Sequence, residues 1–191
     1  MSISLRKMKE CEVTEIYEKH MCIDFPPLEL KPLHSILDMM ERGIYDSHLV
    51  YDGEEPVGYA LVLMPQECSY GLLDYLGVFS EKRNHNYGGR ILASLKELYP
   101  EKKIVIESEY PEDAPDQMMA ERRLKFYERN GAVDTGVESN VFGAHYVNMI
   151  LGRNMDPVST EDMMLILEKI YAAMMQDPVK RKKYLKFWIR D

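Results

Sequence analysis

Residues 72–95, LLDYLGVFSEKRNHNYGGRILASL, decide the fold of this 191-residue chain. Their first eight residues form an apolar run of strand length, and the segment at 91–98 (ILASLKEL) repeats leucine and isoleucine at helical spacing. Between them lie the polar residues 83–89 (RNHNYGG), in which asparagine and glycine allow unusual backbone angles. The sequence therefore predicts a strand, a basic glycine-bearing turn and an amphipathic helix.

A turn of this kind at the start of a helix leaves several backbone N–H groups pointing outward. The helix dipole adds partial positive charge at the same place, so the turn suits a phosphate or diphosphate group. The chain contains no Gly-x-x-x-x-Gly-Lys-Ser/Thr pattern, which excludes a nucleotide-binding P-loop.

The charge of the chain is unevenly distributed. The net charge is −8, and residues 178–191 carry six basic side chains and one acidic side chain, or +5, so the remainder carries −13. An acidic body disfavours nucleic acid and favours a cationic partner such as an amine, although solubility alone also explains such a charge. No apolar run has the length of a membrane span, so no membrane association is expected.

Cysteine and histidine usage gives no sign of a metal site. The three cysteines, Cys11, Cys22 and Cys68, lack metal-ligand spacing, and the five histidines are scattered along the chain. The cysteines are typical of reduced thiols, so we expect a cytoplasmic protein without bound metal.

Two short motifs resemble those of the GNAT superfamily of N-acetyltransferases. Leu-Gly-Val at 76–78 is followed by the turn at 83–88, which resembles the family pattern Gln/Arg-x-x-Gly-x-Gly/Ala. Asn86 stands where the first glycine of that pattern is usual, and asparagine tolerates the left-handed backbone best after glycine. About forty residues later, Phe126-Tyr127 and Gly131-Ala132 match the helix signature Phe-Tyr-x-x-x-Gly-Phe/Ala. The two motifs together are more specific than either one alone.

The resemblance implies an α/β (α+β) fold of the GNAT type, with a mixed, mostly antiparallel central sheet and helices on both faces. It assigns residues 1–153 to an acetyltransferase domain, although the diagnostic residues lie only within 72–131. Residues 154–191 are then a C-terminal helical extension that packs on the domain or on a partner subunit. An apolar stripe within residues 159–176 and the basic, aromatic segment at 179–190 belong to this extension.

The same resemblance implies acetyl transfer from acetyl-CoA to an amine. Acetyl-CoA would be held by Leu76, Gly77, Val78, Arg83, Asn84, His85, Asn86, Tyr87, Gly88 and Gly89. A backbone N–H of the first three residues would stabilise the developing oxyanion, and Tyr127 matches the family's general acid. The attacking amine must lose a proton, and Glu109 or Glu107 on the strand at 103–110 could accept it. Asp74 is a further candidate, either as the base or as an anchoring residue, and Arg122 and Arg123 could pair with the strand carboxylates.

Two other functions stay open from the sequence. A non-catalytic acyl-CoA-binding or regulatory module of the same fold would retain the turn without turnover. An interaction protein would act through the basic, aromatic segment at 178–191. The sequence does not identify the acceptor amine, and it allows a homodimer.

Overall fold

The computed structural model describes residues 3–190, so Met1, Ser2 and Asp191, at the ends of the two predicted domains, lie outside the described residues. The chain divides into two compact units. The first runs up to Met64 and resumes for Leu73–Leu98, whereas the second comprises Pro65–Leu72 and the chain from Tyr99 onward. The C-terminal extension therefore belongs to the second unit.

The strands of the first unit follow the order β1-β2-β3-β4. They are β1 (Ile3–Lys7), β2 (Tyr45–Asp52), β3 (Glu55–Leu63) and residues 73–78 of β4 (Tyr70–Val78). β2 pairs antiparallel with both β1 and β3. The turn between β2 and β3 contains Gly53 at a φ of +65°, as the Asp-Gly pair predicts for a hairpin.

The longer helices of the first unit place apolar side chains in the core. The helical segments of this unit are α1 (Glu10–Ile16), a π-helical turn (Tyr17–Met21), α2 (Cys22–Asp24), α3 (Leu33–Glu41) and α4 (Tyr87–Leu98). In α4 the side chains of Ile91, Leu92 and Leu95 are fully buried, which explains why this segment forms a helix against the core.

The strands of the second unit follow the order β5-β7-β6-β8, and all of these pairs are antiparallel. They are β5 (Lys103–Glu109), β6 (Val133–Val141), β7 (Ala144–Leu151) and β8 (Leu185–Ile189). The register between β6 and β7 shifts between Asp134 and Glu138. The predicted fold class, an α/β fold with mostly antiparallel strands, is confirmed.

Each helix of the second unit begins at a side-chain cap. They are α5 (Gln117–Arg129), α6 (Thr160–Met174) and α7 (Pro178–Tyr184). Asp116 accepts a hydrogen bond from the backbone N–H of Met119, and Ser159 accepts one from that of Asp162, as its position in the sequence predicts.

The C-terminal extension differs from the prediction at its end. Helices α6 and α7 are present, but Leu185–Ile189 form a strand instead of continuing the helix. Alternating apolar residues suit a strand at this place, because the edge of β6 supplies the backbone partners that a helix would not use.

No helix within residues 3–190 is both long enough and apolar enough to cross a membrane. In the same range, no group of three or more His, Cys, Asp or Glu side chains is arranged to hold a metal ion.

Candidate active site

The end of β4 carries the first three predicted cofactor residues, Leu76, Gly77 and Val78. Gly77 is buried, and a Cβ atom added to it would lie 2.2 Å from Cζ of Tyr59 on β3. Glycine is therefore required here for a steric reason, because the tyrosine ring occupies the space that any side chain would need.

The predicted turn after β4 is present, and two asparagines make it. A short 3₁₀ segment (Ser80–Lys82) precedes Asn84 at a φ of +65° and Asn86 at a φ of +59°, and α4 begins at Tyr87. Asn86 thus adopts the left-handed backbone that allows it to replace glycine. The first N–H groups of α4 have no acceptor within the helix, and Gly88 places no side chain over them.

Two aspartates that no sequence motif indicated bind the basic side chains around this turn. Arg83 Nη2 donates to Asp24 Oδ1 over 2.6 Å, and Arg83 Nε donates to the carbonyl of Val78 over 3.2 Å. Farther along, Asp52 accepts hydrogen bonds from Arg90 and from the Tyr87 hydroxyl, and these bonds lower the pKa of its carboxyl group. Both arginines are therefore already paired with carboxylates.

An open cavity of about 440 Å³ lies beside Phe79, the residue that follows β4. Four glutamates line it, namely Glu12, Glu15, Glu55 and Glu81. His20 also lines it and places its ring 4.3 Å from that of Phe79. Lys82 is a cation among these carboxylates and pairs with Glu55. Glu12 and Glu15 are also paired, with Arg6 and Lys19, so Glu81 is the lining glutamate without an ion pair among the described residues. The lining nevertheless carries more carboxylates than cations, which suits a cationic ligand.

Tyr127 in α5 is nine-tenths buried. Burial raises the pKa of its phenol, and the nearby charge of Arg123 opposes this shift more weakly. Among residues 3–190 its hydroxyl has no hydrogen-bond partner. The side chain therefore keeps its proton at neutral pH and has not committed it to another protein group.

The two predicted bases of β5 are both engaged, in different ways. Glu109 Oε2 lies 2.6 Å from Arg123 Nη1, which confirms the expected arginine pairing, and its Oε1 has no hydrogen-bond partner within the described part of the chain. Glu107 uses both oxygens, because Tyr171 of α6 donates to Oε2 over 2.6 Å and Ser139 donates to Oε1 over 3.3 Å. Tyr171 lies outside the resemblance, and no sequence signal connected it to Glu107.

The contacts of Asp74 are those expected of an anchoring residue. Its carboxylate accepts a hydrogen bond from the buried Tyr45 hydroxyl and lies 2.6 Å from Lys31 Nζ. Its side chain is only 6% exposed, so these two partners account for its place in the core.

Solved structures with similar folds are GNAT proteins. An acetyltransferase candidate of the GNAT family from Bacteroides thetaiotaomicron is 23% identical, with a TM-score of 0.70, over 90% of this chain and 97% of that one. The spermidine N-acetyltransferase from Vibrio cholerae, solved with CoA and spermine, is 10% identical, with a TM-score of 0.58, over 78% of this chain and 95% of that one. The aminoglycoside acetyltransferase AAC(6')-Ib, solved with coenzyme A, is 20% identical, with a TM-score of 0.56, over 80% of this chain and 95% of that one.

At these identities the similarity establishes the fold, so the chain has the GNAT acetyltransferase fold. No protein-family model and no curated protein matches the sequence.

Proposed function

We propose that the protein is an N-acetyltransferase that transfers the acetyl group of acetyl-CoA to a primary amine of a small molecule or peptide. The observation that carries this proposal is Tyr127, a buried phenol on a GNAT fold whose proton is not committed to another group among the described residues. Similar folds named for acetylating spermidine and aminoglycosides support transfer to an amine.

The turn at 83–89 and the end of β4 would bind acetyl-CoA. The first N–H groups of α4 and the dipole of that helix favour a diphosphate, and each such contact contributes only about 0.3–1 kcal/mol, so several must act together. The exposed residues Asn84, His85 and Asn86 leave the backbone of the turn accessible to such a ligand.

In the reaction the amine nitrogen forms a bond to the thioester carbonyl carbon, and the carbon–sulfur bond then breaks. A backbone N–H of residues 76–78 would stabilise the oxyanion, a contact whose loss costs roughly 10²–10³-fold in rate where it has been measured. Tyr127 would donate its phenolic proton to the departing sulfur, so that CoA leaves as a thiol.

The proton released by the amine needs an acceptor, and Glu109 is the better of the two candidates. Its Oε1 stays unbonded among the described residues, whereas both oxygens of Glu107 accept hydrogen bonds. We therefore assign Glu109 as the base and Glu107 as the alternative.

A cationic amine is the substrate class that the charges favour. The first unit presents a cavity lined by four glutamates, and the chain carries a net charge of −8. The proposal also places the enzyme in the cytoplasm, because all three cysteines are free, and includes a homodimer, which light scattering would test.

Calorimetric titration with acetyl-CoA, followed by turnover on a panel of polyamines, aminoglycosides and basic peptides, tests the proposal. We expect wild-type binding and its loss in Gly88→Trp, because the indole would cover the first turn of α4. Leu98→Trp places the same side chain at the exposed far end of α4 and should bind normally. If the wild type binds no acetyl-CoA, the proposal is wrong.

One observation favours a non-catalytic acyl-CoA-binding module as a second candidate. Both β5 carboxylates are held by neighbouring side chains, so neither is an unattached base. Binding of acetyl-CoA without turnover of any amine would support this alternative.

A further inference from the structure

Asp24 connects two parts of the first unit that are far apart in the sequence. It is the last residue of α2, and its side chain is only 14% exposed. The Tyr59 hydroxyl donates to its Oδ2 over 2.8 Å, and Arg83 Nη2 donates to its Oδ1 over 2.6 Å. Each carboxylate oxygen therefore holds a different side chain.

The first of these bonds acts on Gly77. Tyr59 is completely buried, and its ring fills the space over Gly77, where an added Cβ atom would lie 2.2 Å from Cζ and 2.5 Å from the hydroxyl oxygen. Burial raises the pKa of the Tyr59 phenol, and so does its hydrogen bond to Asp24, so the hydroxyl remains a donor. Asp24 thus fixes the ring that packs on the backbone of Gly77.

The second bond acts on Val78 and the turn. The guanidinium that pairs with Asp24 also donates from Nε to the carbonyl of Val78 over 3.2 Å. The Arg83 side chain is 53% exposed, but its two bonds connect the carboxylate of Asp24 to the carbonyl of Val78 through one planar group. Asp24 therefore acts on consecutive residues of β4 from two directions, through Tyr59 and through Arg83.

From this geometry we infer that Asp24 is a positioning residue for acetyl transfer, which orients the backbone of Gly77 and Val78. This inference rests on the proposed function, since these residues are the ones assigned to oxyanion stabilisation. Asp24 touches the reacting atoms only through Tyr59 and Arg83.

The inference predicts a division between rate and binding. In Asp24→Asn the charge that holds Arg83 is lost, while the size of the side chain is kept. We expect kcat to fall roughly tenfold, less than the roughly 10²–10³-fold loss of a whole oxyanion donor. The Kd for acetyl-CoA should not weaken, because the N–H groups of α4 are unchanged and Arg83 becomes available to the diphosphate.

A double-mutant cycle and a matched control separate positioning from general destabilisation. Tyr59→Phe keeps the ring but removes the hydroxyl, so its effect on kcat should be less than additive with that of Asp24→Asn. Asp134→Asn breaks the Asp134–Arg190 ion pair of the second unit, which has the same 2.6 Å separation, and should leave kcat unchanged. Asp24→Glu should recover part of the lost rate.

Amide hydrogen exchange supplies a readout that needs no ligand. Exchange at residues 77–83 should become faster in Asp24→Asn and stay unchanged in Asp134→Asn. Unchanged exchange, or an unchanged kcat in an active enzyme, overturns the inference. Faster exchange in a protein that acetylates no amine would instead contradict the proposed function and reduce Asp24 to a purely structural anchor.

Discussion

Tyr127 differs from an exposed tyrosine in two respects that matter for chemistry. Its ring is nine-tenths buried, and its hydroxyl has no partner within residues 3–190. The hydroxyl oxygen itself is not among the fully buried polar atoms, so it is accessible to solvent or to a ligand. This accessibility is what the proposed donation of its proton to a departing thiolate requires.

Tyr127→Phe tests this role directly. The ring and its packing are kept, so acetyl-CoA binding measured by calorimetry should be unchanged. We expect kcat to fall by at least roughly 10²-fold, the lower range for a lost general acid. Tyr184→Phe removes a hydroxyl from a partly exposed side chain and is the control. A Tyr127→Phe rate within threefold of wild type would rule out the role.

The pH profile of the same pair of proteins gives a second readout. Burial disfavours the charged phenolate, so the pKa of Tyr127 lies above its ordinary value of about 10. The acid form therefore persists through neutral pH and is lost only above that value. Below pH 10, any decline in the wild-type kcat should therefore also occur in Tyr127→Phe.

The residues that the sequence could identify are those whose neighbours in the chain determine their conformation. Asn86 is one, because its left-handed backbone follows from its place in a short turn. Asp24 is different, because its two partners are distant in the sequence. Tyr59 lies 35 residues away from it and Arg83 lies 59 residues away. No local pattern records such a contact, so only the folded structure reveals it.

At the scale of the element, the turn before α4 depends on two asparagines with positive φ. The left-handed conformation costs an ordinary L-residue about 1–2 kcal/mol, and asparagine reduces that cost through local hydrogen bonding. The conformation of this turn should therefore determine how well the N–H groups of α4 are presented to a ligand.

We predict opposite outcomes for two substitutions at Asn86. Asn86→Gly accepts a φ of +59° without strain, so its Kd for acetyl-CoA should stay within threefold of wild type. In Asn86→Ala the free turn relaxes away from this conformation, and restoring it on binding costs about 1 kcal/mol, or roughly fivefold in Kd by calorimetry. Asn154→Ala, at an exposed loop position, is the control. Equal affinities in the two Asn86 variants would show that the turn conformation is unimportant.

Most elements could be predicted because their apolar residues repeat with one period over several turns or several strand positions. The exceptions are segments whose conformation depends on contacts that the local sequence does not specify. Leu185–Ile189 follow the basic helix α7, and only the available edge of β6 makes them a strand. The π-helical turn Tyr17–Met21 inserts a local change of hydrogen bonding that leaves the apolar spacing nearly intact.

At the scale of the molecule, the basic end of an acidic chain is part of a folded unit. Trp188 Nε1 donates to Glu138 Oε2 over 3.1 Å, and Arg190 Nη2 lies 2.6 Å from Asp134 Oδ2. Glu138 is only 5% exposed, so its charge depends on such partners. His145 supplies another contact from β7, with Nε2 3.0 Å from Glu138 Oε2.

Deleting residues 178–191 should therefore destabilise the protein. The deletion uncovers the edge of β6 and the apolar surface on which Leu185 packs. It also removes the hydrogen bond from Trp188 to Glu138. We expect the free energy of unfolding in urea to fall by about 3 kcal/mol or more. The double substitution Lys182→Glu/Lys183→Glu changes the charge but keeps β8. It should change the free energy of unfolding by less than about 1 kcal/mol. An unchanged urea midpoint in the truncated chain would show that the segment is an independent interaction element.

The position of β8 in the chain also has a consequence for biosynthesis. A ribosome releases the N-terminal part of a chain first, and the first unit has all of its residues once Leu98 has emerged. The second unit must wait for its last strand, which ends at Ile189, before the edge of β6 is covered. Until residues 185–189 have been synthesised, that edge of β6 is unpaired and open to pairing with other nascent chains, and β8 then covers it.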